Sequence, residues 1–377
     1  MNPLYFSIEW PQVVFYLFCS VCLIQVAYHL FFFCRLAFHK VRQKESSQTH
    51  PLSVIICARD EAGNLAKYLP GVLVQDYSTS HEVVVVNDNS FDDTKYVLEA
   101  FRKSYKHLNV IELTQEAKLI PGKKFPLGVG IKSAKHEIVL LTDADCVPAT
   151  EHWISSMQAV YDDQTEIVIG YSPFFKLKGF FNKLVRWECY HAALQYLSYA
   201  LAGVPYMGVG RNLSYKKNIF FRNKGFSAHN NIPGGDDDLL VNAAANKKNT
   251  KINIDKNSFV LTKPAPDWNR WRRQKKRHYT TGKFYQKKHQ FLLGLYSLSH
   301  FLFFPLFLAA LLTSLWKIVL IVFGVRLLFQ TIVHYRVMQK LDEKDLFPFF
   351  IFFDIWMFFY YILFAPSLFK KPEPHWK

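Results

Sequence analysis

Apolar positions along the chain fall into runs of two lengths. The long runs lie near the two ends. Pro11 to Cys34 is a 24-residue stretch without Asp, Glu, Lys or Arg, and Phe291 to Leu312 carries no charge beyond what His300 can add. Leu315 to Val333 contains Lys317 and Arg326, and Phe347 to Phe369 contains Asp354. About 20 apolar residues suffice to cross a bilayer, so each run is a candidate spanning helix. A charge in hydrocarbon is costly, so those in the last two are expected to face protein or water. No small-residue cleavage site follows the first run, which continues RLAFHKVRQKES, and an uncleaved anchor is expected.

The short runs lie between these, over roughly residues 50 to 290. Pro51 to Ala58, Glu82 to Val86, Val110 to Leu113 and Ile138 to Thr142 read as buried strands. Helical patterns run from about Asn64 to Val74 and from about Thr94 to Ser104. Strands alternating with helices imply a mostly parallel sheet with crossover helices.

Composition changes this picture in one respect. The formal charge of +16 suggests nucleic acid, but its distribution does not. Arg35, Lys40, Arg42 and Lys44 follow the first long run; Arg270 to His278, Lys283, Lys287 and Lys288 precede the second. Basic flanks mark the cytoplasmic side of spans and attract anionic headgroups. The expectation is an integral membrane protein of the plasma or inner membrane, with membrane lipids and not nucleic acid as partners. Residues 1–39 are then an N-terminal anchor, 40–50 a linker, and 51–290 a cytoplasmic domain with an interfacial helix at 266–290. Residues 291–377 form a C-terminal membrane region of two or three hydrophobic helices. Three further spans would put the basic tail KKPEPHWK outside, so one segment is expected to lie in the interface or re-enter. Cys19, Cys22 and Cys34 read as small hydrophobes of the first run, and Cys57, Cys146 and Cys189 as reduced thiols.

Chemistry gathers where strands stop. The fourth strand runs into Asp143-Ala144-Asp145, and side-chain alternation is expected to point both acids to one side. Open α/β sheets bind ligands at that edge. Two carboxylates there repel unless a cation sits between them, and hard divalent ions take one or two carboxylates plus substrate phosphates. A solvated Asp-x-Asp turn is the alternative. The first strand, however, stops at Arg59-Asp60-Glu61 and the second at Asp88, so three polar clusters face one crevice.

In that order, SVIICARDEAGNL, EVVVVNDNSFDDT, PGKKFPLGVGI and LLTDADCVP resemble the nucleotide-sugar-binding half of family 2 glycosyltransferases with the GT-A fold. GGDDDLL at 234–240 and RRQKKRHY at 272–279 are similar to the acceptor-side acidic motif and the Gln-x-x-Arg-Trp motif of membrane-bound members. Together they cover about residues 51 to 285. The resemblance implies an α/β GT-A fold with a mostly parallel sheet, flanked by N-terminal and C-terminal transmembrane helices.

It also implies roles. Asp88 would accept a hydrogen bond from a nucleobase imide, with Asp60 and Glu61 lining the nucleotide pocket. Asp145 would be the principal ligand of Mg²⁺ or Mn²⁺, with Asp143 on the donor sugar or ribose or holding the ion through water. Lys123 would meet the diphosphate as a point charge, beside a solvated Lys124; Gly128 stands where the family has Asn. Asp237 would be the catalytic base, with Asp236 as the alternative and Asp238 favoured by a one-residue shift. One of the three is expected to cap the following helix. Gly208 to Asn212 resembles the loop beneath the sugar. Arg277 would meet the leaving diphosphate from a helix that covers the site, with Gln274 a further catalytic residue of the motif, while Arg272, Arg273, Lys275 and Lys276 serve the membrane. His278 stands where the family most often has Trp, which weakens any stacking role.

The expected activity is an inverting, metal-dependent hexosyl transfer from a nucleotide-diphosphate sugar to a membrane-associated or lipid-linked acceptor. A processive polysaccharide synthase is the alternative enzyme, and a catalytically inactive nucleotide-binding membrane scaffold the alternative of another class.

Overall fold

The computed structural model describes residues 9–41, 49–114, 122–230, 232 and 234–370. Arg42 and Lys44 of the basic junction, Pro121 and Pro233 of two motifs, and the tail from residue 371 lie outside the described residues. The chain divides into two compact units. One joins the residues up to Phe38 with Lys287–Pro366, and the other is built on His39–Gln286.

The chain enters the first unit through helix α1 (Trp10–Tyr28), a π-helical turn at His29–Phe33, and α2 (Cys34–Ala37). It then forms the second unit. Strands β1 (Leu52–Ala58), β2 (His81–Asp88), β3 (Leu108–Leu113) and β4 (Ile138–Asp143) are parallel, joined through α3 (Ala62–Leu73), α4 (Thr94–Ser104) and α5 (Lys124–Ser133). After β4 come β5 (Cys146–Pro148), α6 (Trp153–Gln158), β6 (Ile167–Ile169) and the 22-residue helix α7 (Phe180–Leu201). Next are β7 (Leu213–Lys216), α8 (Lys217–Arg222), α9 (Asp238–Ala244), β8 (Thr250–Ile252), β9 (Val260–Thr262) and α10 (Trp268–Tyr279).

Seven strands form one sheet in the order β3-β2-β1-β4-β7-β6-β8, and β5 pairs with β9 in a small second sheet. The four strands expected from the sequence form one continuous parallel run; β7 is antiparallel to β4 and to β6, and β8 pairs parallel with β6. The other three were missed because β6 and β8 are three residues each, too short to show a period.

All seven positions of β1 are buried, as a central strand covered on both faces requires. Val54, Ile56, Val83, Val85 and Leu140 pack with Leu65, Leu69 and Val72 of α3 and with Trp153. On the other face α5 approaches closely. A Cβ on Gly130 would lie 2.8 Å from Ile55 Cγ2 and 3.1 Å from Val86 Cγ2, so this turn of helix requires glycine.

The first unit is completed by α11 (Lys287–Leu311), α12 (Trp316–Lys340) and α13 (Phe350–Phe364), the last flanked by 3₁₀ turns. Among the described residues, four helices are long and apolar enough to cross a membrane: Trp10–Ala37, Lys287–Leu311, Trp316–Lys340 and Lys344–Phe369. The two charges that made the last runs costly, Arg326 and Asp354, pair with each other. Arg326 Nη1 and Nη2 donate to Asp354 Oδ2 and Oδ1 at 3.0 and 3.3 Å, and its Nε donates to Gln25 Oε1 at 2.6 Å. Gln330 joins both groups, and the guanidinium lies 3.8 Å from the centre of the Phe303 ring. A buried ion pair is tolerated when further hydrogen bonds satisfy its remaining atoms, and this one is.

Candidate active site

Two strand ends flanking β1 set the edge of the site. Pairing of β1 with β2 and β4 puts Ala58 beside Asn87 and Cys57 beside Asp143. Asp88 and Asp143 therefore emerge on either side of the same strand end. Asp88 is fully buried. Burial pushes the Cys57 thiol up to about 12, and the charges acting on it are those of Lys123, Asp236, Asp143 and Asp88. Groups far apart in sequence thus converge on one point.

Asp143 closes β4, but Asp145 lies in the turn that leads to β5. The turn, not the pleat, brings the second carboxylate round, which corrects the alternation expected from sequence. One ligand atom each from Asp143, Asp145 and Cys146 lies within 4.8 Å of the others. Lys123 forms an ion pair with Asp143. Burial pushes the Asp143 carboxyl up, but Lys123, Arg211 and Arg277 together hold it below its ordinary value. Asp145 goes the other way: burial and the neighbouring Asp143 raise it against the pull of Arg211.

A hard divalent cation fits this donor set through its carboxylates. Asp145 is an acid kept from water with no ion pair of its own among the described residues, beside a second acid. Cys146 does not fit. Burial holds its thiol well above the ordinary value, so the group stays protonated, and its sulfur donates to Asp145 Oδ1 at 3.4 Å. A protonated thiol is a poor partner for Mg²⁺ or Mn²⁺, which favour oxygen.

The expected nucleotide-pocket pair divides in two. Asp60 is exposed at φ 54°, and its Oδ1 accepts the Phe91 N–H at 2.7 Å while its own N–H donates to Ser90 Oγ at 2.9 Å. It fastens the loop after β2. Glu61 accepts from Asn64 Nδ2 at 2.6 Å, and its charge acts on Asp145.

The acidic triplet divides similarly. Gly235 turns the chain at φ 82°, and Asp237 then caps α9 with Oδ1 accepting the Asp238 N–H at 2.8 Å. Asp237 Oδ2 accepts the Gly210 N–H at 2.6 Å. A Cβ on Gly210 would sit 3.2 Å from that oxygen, so glycine admits the contact. Burial, with Asp236 and Asp238 beside it, raises the Asp237 carboxyl to about 7. Asp238 is buried and occupied, its Oδ2 accepting from Thr281 Oγ1 at 2.6 Å and Tyr285 OH at 2.7 Å. Asp236 is the member whose carboxylate accepts no hydrogen bond among the described residues, and its charge raises Lys123.

On α10, Trp271 is fully buried, Gln274 is half-buried and His278 is exposed. The Arg277 charge acts on Asp143. Two expectations for lysines are corrected. Lys275, assigned to the membrane, is buried in an ion pair with Glu188 of α7. Lys124, assigned to solvent, is 1% exposed and donates to the carbonyls of His229 and Ile232 at 2.6 and 2.8 Å. It ties down the loop ahead of the acidic triplet.

Sequence reasoning missed Arg211 as a site residue, although it had marked the loop around it. Its guanidinium donates to the Ser172 carbonyl at 3.3 Å, lies 4.9 Å from the centre of the Phe174 ring, and acts on both Asp143 and Asp145. Asn212 next to it bonds the carbonyls of Tyr171 and Ser258 and receives the Trp153 indole N–H. The signal was a lone arginine after two small residues, and only the tertiary fold shows what it faces.

A mostly parallel sheet with an acid edge and one antiparallel strand, β7, is the GT-A arrangement, and residues 53–229 match the family described as Glycosyl transferase family 2. The chain carries a family 2 glycosyl transferase domain with the GT-A fold. Among curated proteins it is 28% identical over 138 residues to the poly-beta-1,6-N-acetyl-D-glucosamine synthase of Staphylococcus epidermidis, covering 36% of this chain and 32% of that protein. It is 30% identical over 111 residues to the beta-monoglucosyldiacylglycerol synthase of Trichormus variabilis, covering 29% of this chain and 23% of that one. The matched stretch spans no more than a third of these relatives. Among solved structures, the mannosyltransferase PcManGT from Pyrobaculum calidifontis, in complex with GDP-Man and Mn²⁺, aligns with a TM-score of 0.54 at 17% identity. That alignment covers 90% of this chain and 99% of the other, and it carries the fold alone.

Proposed function

We propose that the protein is an inverting, metal-dependent glycosyltransferase that moves a sugar from a nucleotide-diphosphate donor to a membrane-associated or lipid-linked acceptor. The observation that carries this reading is the convergence of Asp88, Asp143, Lys123 and Asp236 at the end of β1, with Asp145 and Asp237 in the flanking turns. Asp88 receives the base, Glu61 lines the nucleotide pocket, and Asp60 shapes its loop. Asp145, with Asp143, would hold Mg²⁺ or Mn²⁺, which when bound supplies positive charge to the diphosphate. Lys123, held beside the site by its pair with Asp143, would face the leaving group together with Arg277 and Gln274. Such preorganised charge is commonly the largest catalytic contribution.

The acceptor hydroxyl must lose its proton as it attacks the anomeric carbon. A general base works best with a pKa near the working pH, and Asp237 at about 7 meets that condition. Its fixed contacts with Gly210 and Asp238 orient the carboxylate and leave lone pairs for the incoming hydroxyl. Asp236 is the rival base because its carboxylate is unoccupied.

The four apolar helices and the basic residues beside them support a catalytic domain on the cytoplasmic face, bounded near residues 51 and 290. The test is a panel of nucleotide sugars offered to purified full-length protein in lipid nanodiscs, with release of the nucleoside diphosphate as readout. Metal-dependent release from at least one donor, lost in Asp145→Asn and Asp237→Asn, is expected. No release from any donor would return the chain to a nucleotide-binding scaffold. A processive synthase is the second reading, favoured by the likeness to a polysaccharide synthase. Product length on a gel separates it, and four candidate spans favour single transfer.

A further inference from the structure

The segment from Phe175 into the first turn of α7 at Asn182 shows large apolar side chains to solvent, yet it is built, not slack. Asn182 clamps it from within: its Oδ1 accepts the Leu177 N–H at 3.0 Å and its Nδ2 donates to the Phe175 carbonyl at 3.0 Å. Gly179 makes the turn at φ 104°, a conformation that side-chain-bearing residues rarely adopt. The clamp leaves Leu177 54% and Phe180 48% exposed, between Lys176 and Lys178 on one side and Lys183 on the other.

This loop does not stand alone. Phe181 packs edge-on against Trp268 and Trp271 of α10, with ring centres 6.5 and 6.4 Å apart. Helix α10 is itself fixed to α7 through the Lys275–Glu188 pair and the buried Trp271. Its outer side keeps Trp268 37% exposed, with Arg273 in solvent and Arg270 also in solvent but paired with Asp267 at 3.6 Å. Two segments some 90 positions apart in sequence thus make one surface, two aliphatic and aromatic tips and an indole ringed by cations.

We infer that this surface, Leu177 and Phe180 with Trp268 and the cations around them, docks on the headgroup layer of an anionic lipid bilayer. Three observations choose lipid over other occupants. The pattern of shallow apolar tips within a basic ring is what an interface between headgroups and acyl chains takes up. A bilayer is at hand, since the candidate span Lys287–Leu311 begins eight residues after α10 ends. The clamped turn holds its apolar residues outward, so exposure is built in.

The inference rests on membrane integration and not on the transferase reading, and its test needs no donor. Nitroxide labels are placed through Leu177→Cys and Phe180→Cys in full-length protein whose Cys19, Cys22, Cys34 and Cys189 are replaced by Ala. Tyr96→Cys on α4, an exposed site elsewhere on the same domain, is the control. The protein sits in nanodiscs of phosphatidylcholine, alone or mixed with phosphatidylglycerol. Collision with oxygen should exceed collision with a water-soluble nickel chelate several-fold more at 177 and 180 than at 96. The difference should grow with phosphatidylglycerol and shrink in Arg270→Gln/Arg273→Gln. Equal nickel access at 177, 180 and 96 would overturn the inference, and so would insertion indifferent to lipid charge. Shielding that appears in detergent and grows with protein concentration would assign the surface to a second copy and overturn it too.

Discussion

Asp237 couples two demands that usually conflict. It caps a helix, which favours a charged carboxylate, and it is crowded by two acids in a water-poor site, which disfavours one. The second demand wins, and the group moves from 3.8 to about 7. As a base it must be deprotonated, so the transfer rate should rise with pH through about 7 and level off above it. Asp237→Asn should lower kcat by about 10²–10⁴-fold while nucleotide binding persists. An unchanged kcat, with loss in Asp236→Asn instead, would move the base by one residue. Stability follows with its own sign. Between 3.8 and about 7 the unfolded chain gives up this proton and the folded chain keeps it, so stability falls as pH rises across that window. Asp237→Asn should flatten the slope, measured by thermal unfolding at stepped pH.

Asp145 shows a different residue-scale logic. Its carboxyl is raised by burial and by Asp143 more than Arg211 lowers it. Paramagnetic resonance of Mn²⁺ should detect binding to the intact protein that Asp145→Asn abolishes. Undiminished Mn²⁺ binding in that variant would remove Asp145 from the ligand set.

At the scale of elements, the acidic triplet is tied to the segment after α10. Thr281 and Tyr285 both donate to Asp238, and Gln286 bonds Asn242 of the same helix through its N–H at 2.8 Å and its Nε2 at 2.6 Å. Helix α9 is only seven residues, too short to stand without such support. Tyr285→Phe should therefore cost about 1 kcal/mol of stability, read as a lower unfolding midpoint, with kcat reduced and donor KM unchanged. An unchanged kcat would show that the clasp does not position the base.

The same scale explains what the sequence revealed. Val54, Ile56, Val83, Val85 and Leu140 form the parallel run because continuous apolar runs of five to eight residues have one stable home, a strand covered on both faces. Asp88, Asp143 and Asp145 were legible because each closes or follows such a run. The flank β7-β6-β8 was not, since strands of three or four residues carry no period and α7 is buried on nearly every side, leaving no polar stripe to read. The partners of Lys124, Lys275 and Arg211 were illegible for a further reason. A buried cation and a solvated one look alike until the fold supplies Glu188 or a row of carbonyls.

For the whole molecule, the decisive feature of the membrane unit is the Arg326–Asp354 pair. Each charge is tolerable because the other is present. Arg326→Leu or Asp354→Leu alone should destabilise the unit by about 3–5 kcal/mol, since each strands a buried charge. The double substitution should recover most of that loss, measured as detergent-solubilised unfolding midpoints. Equal loss in the double variant would mean that packing and not charge sets the effect.

Gln25 reaches this pair from the opposite end of the polypeptide, 301 positions before Arg326. During synthesis the opening helix leaves the ribosome long before its mate has been translated. The Gln25 Nε2 donates to the Ser299 carbonyl of α11 at 3.0 Å, so it is the Oε1 alone that waits for α12. That oxygen therefore ties the first helix to a segment made 301 positions later, and the polar cluster closes only once α12 is in place.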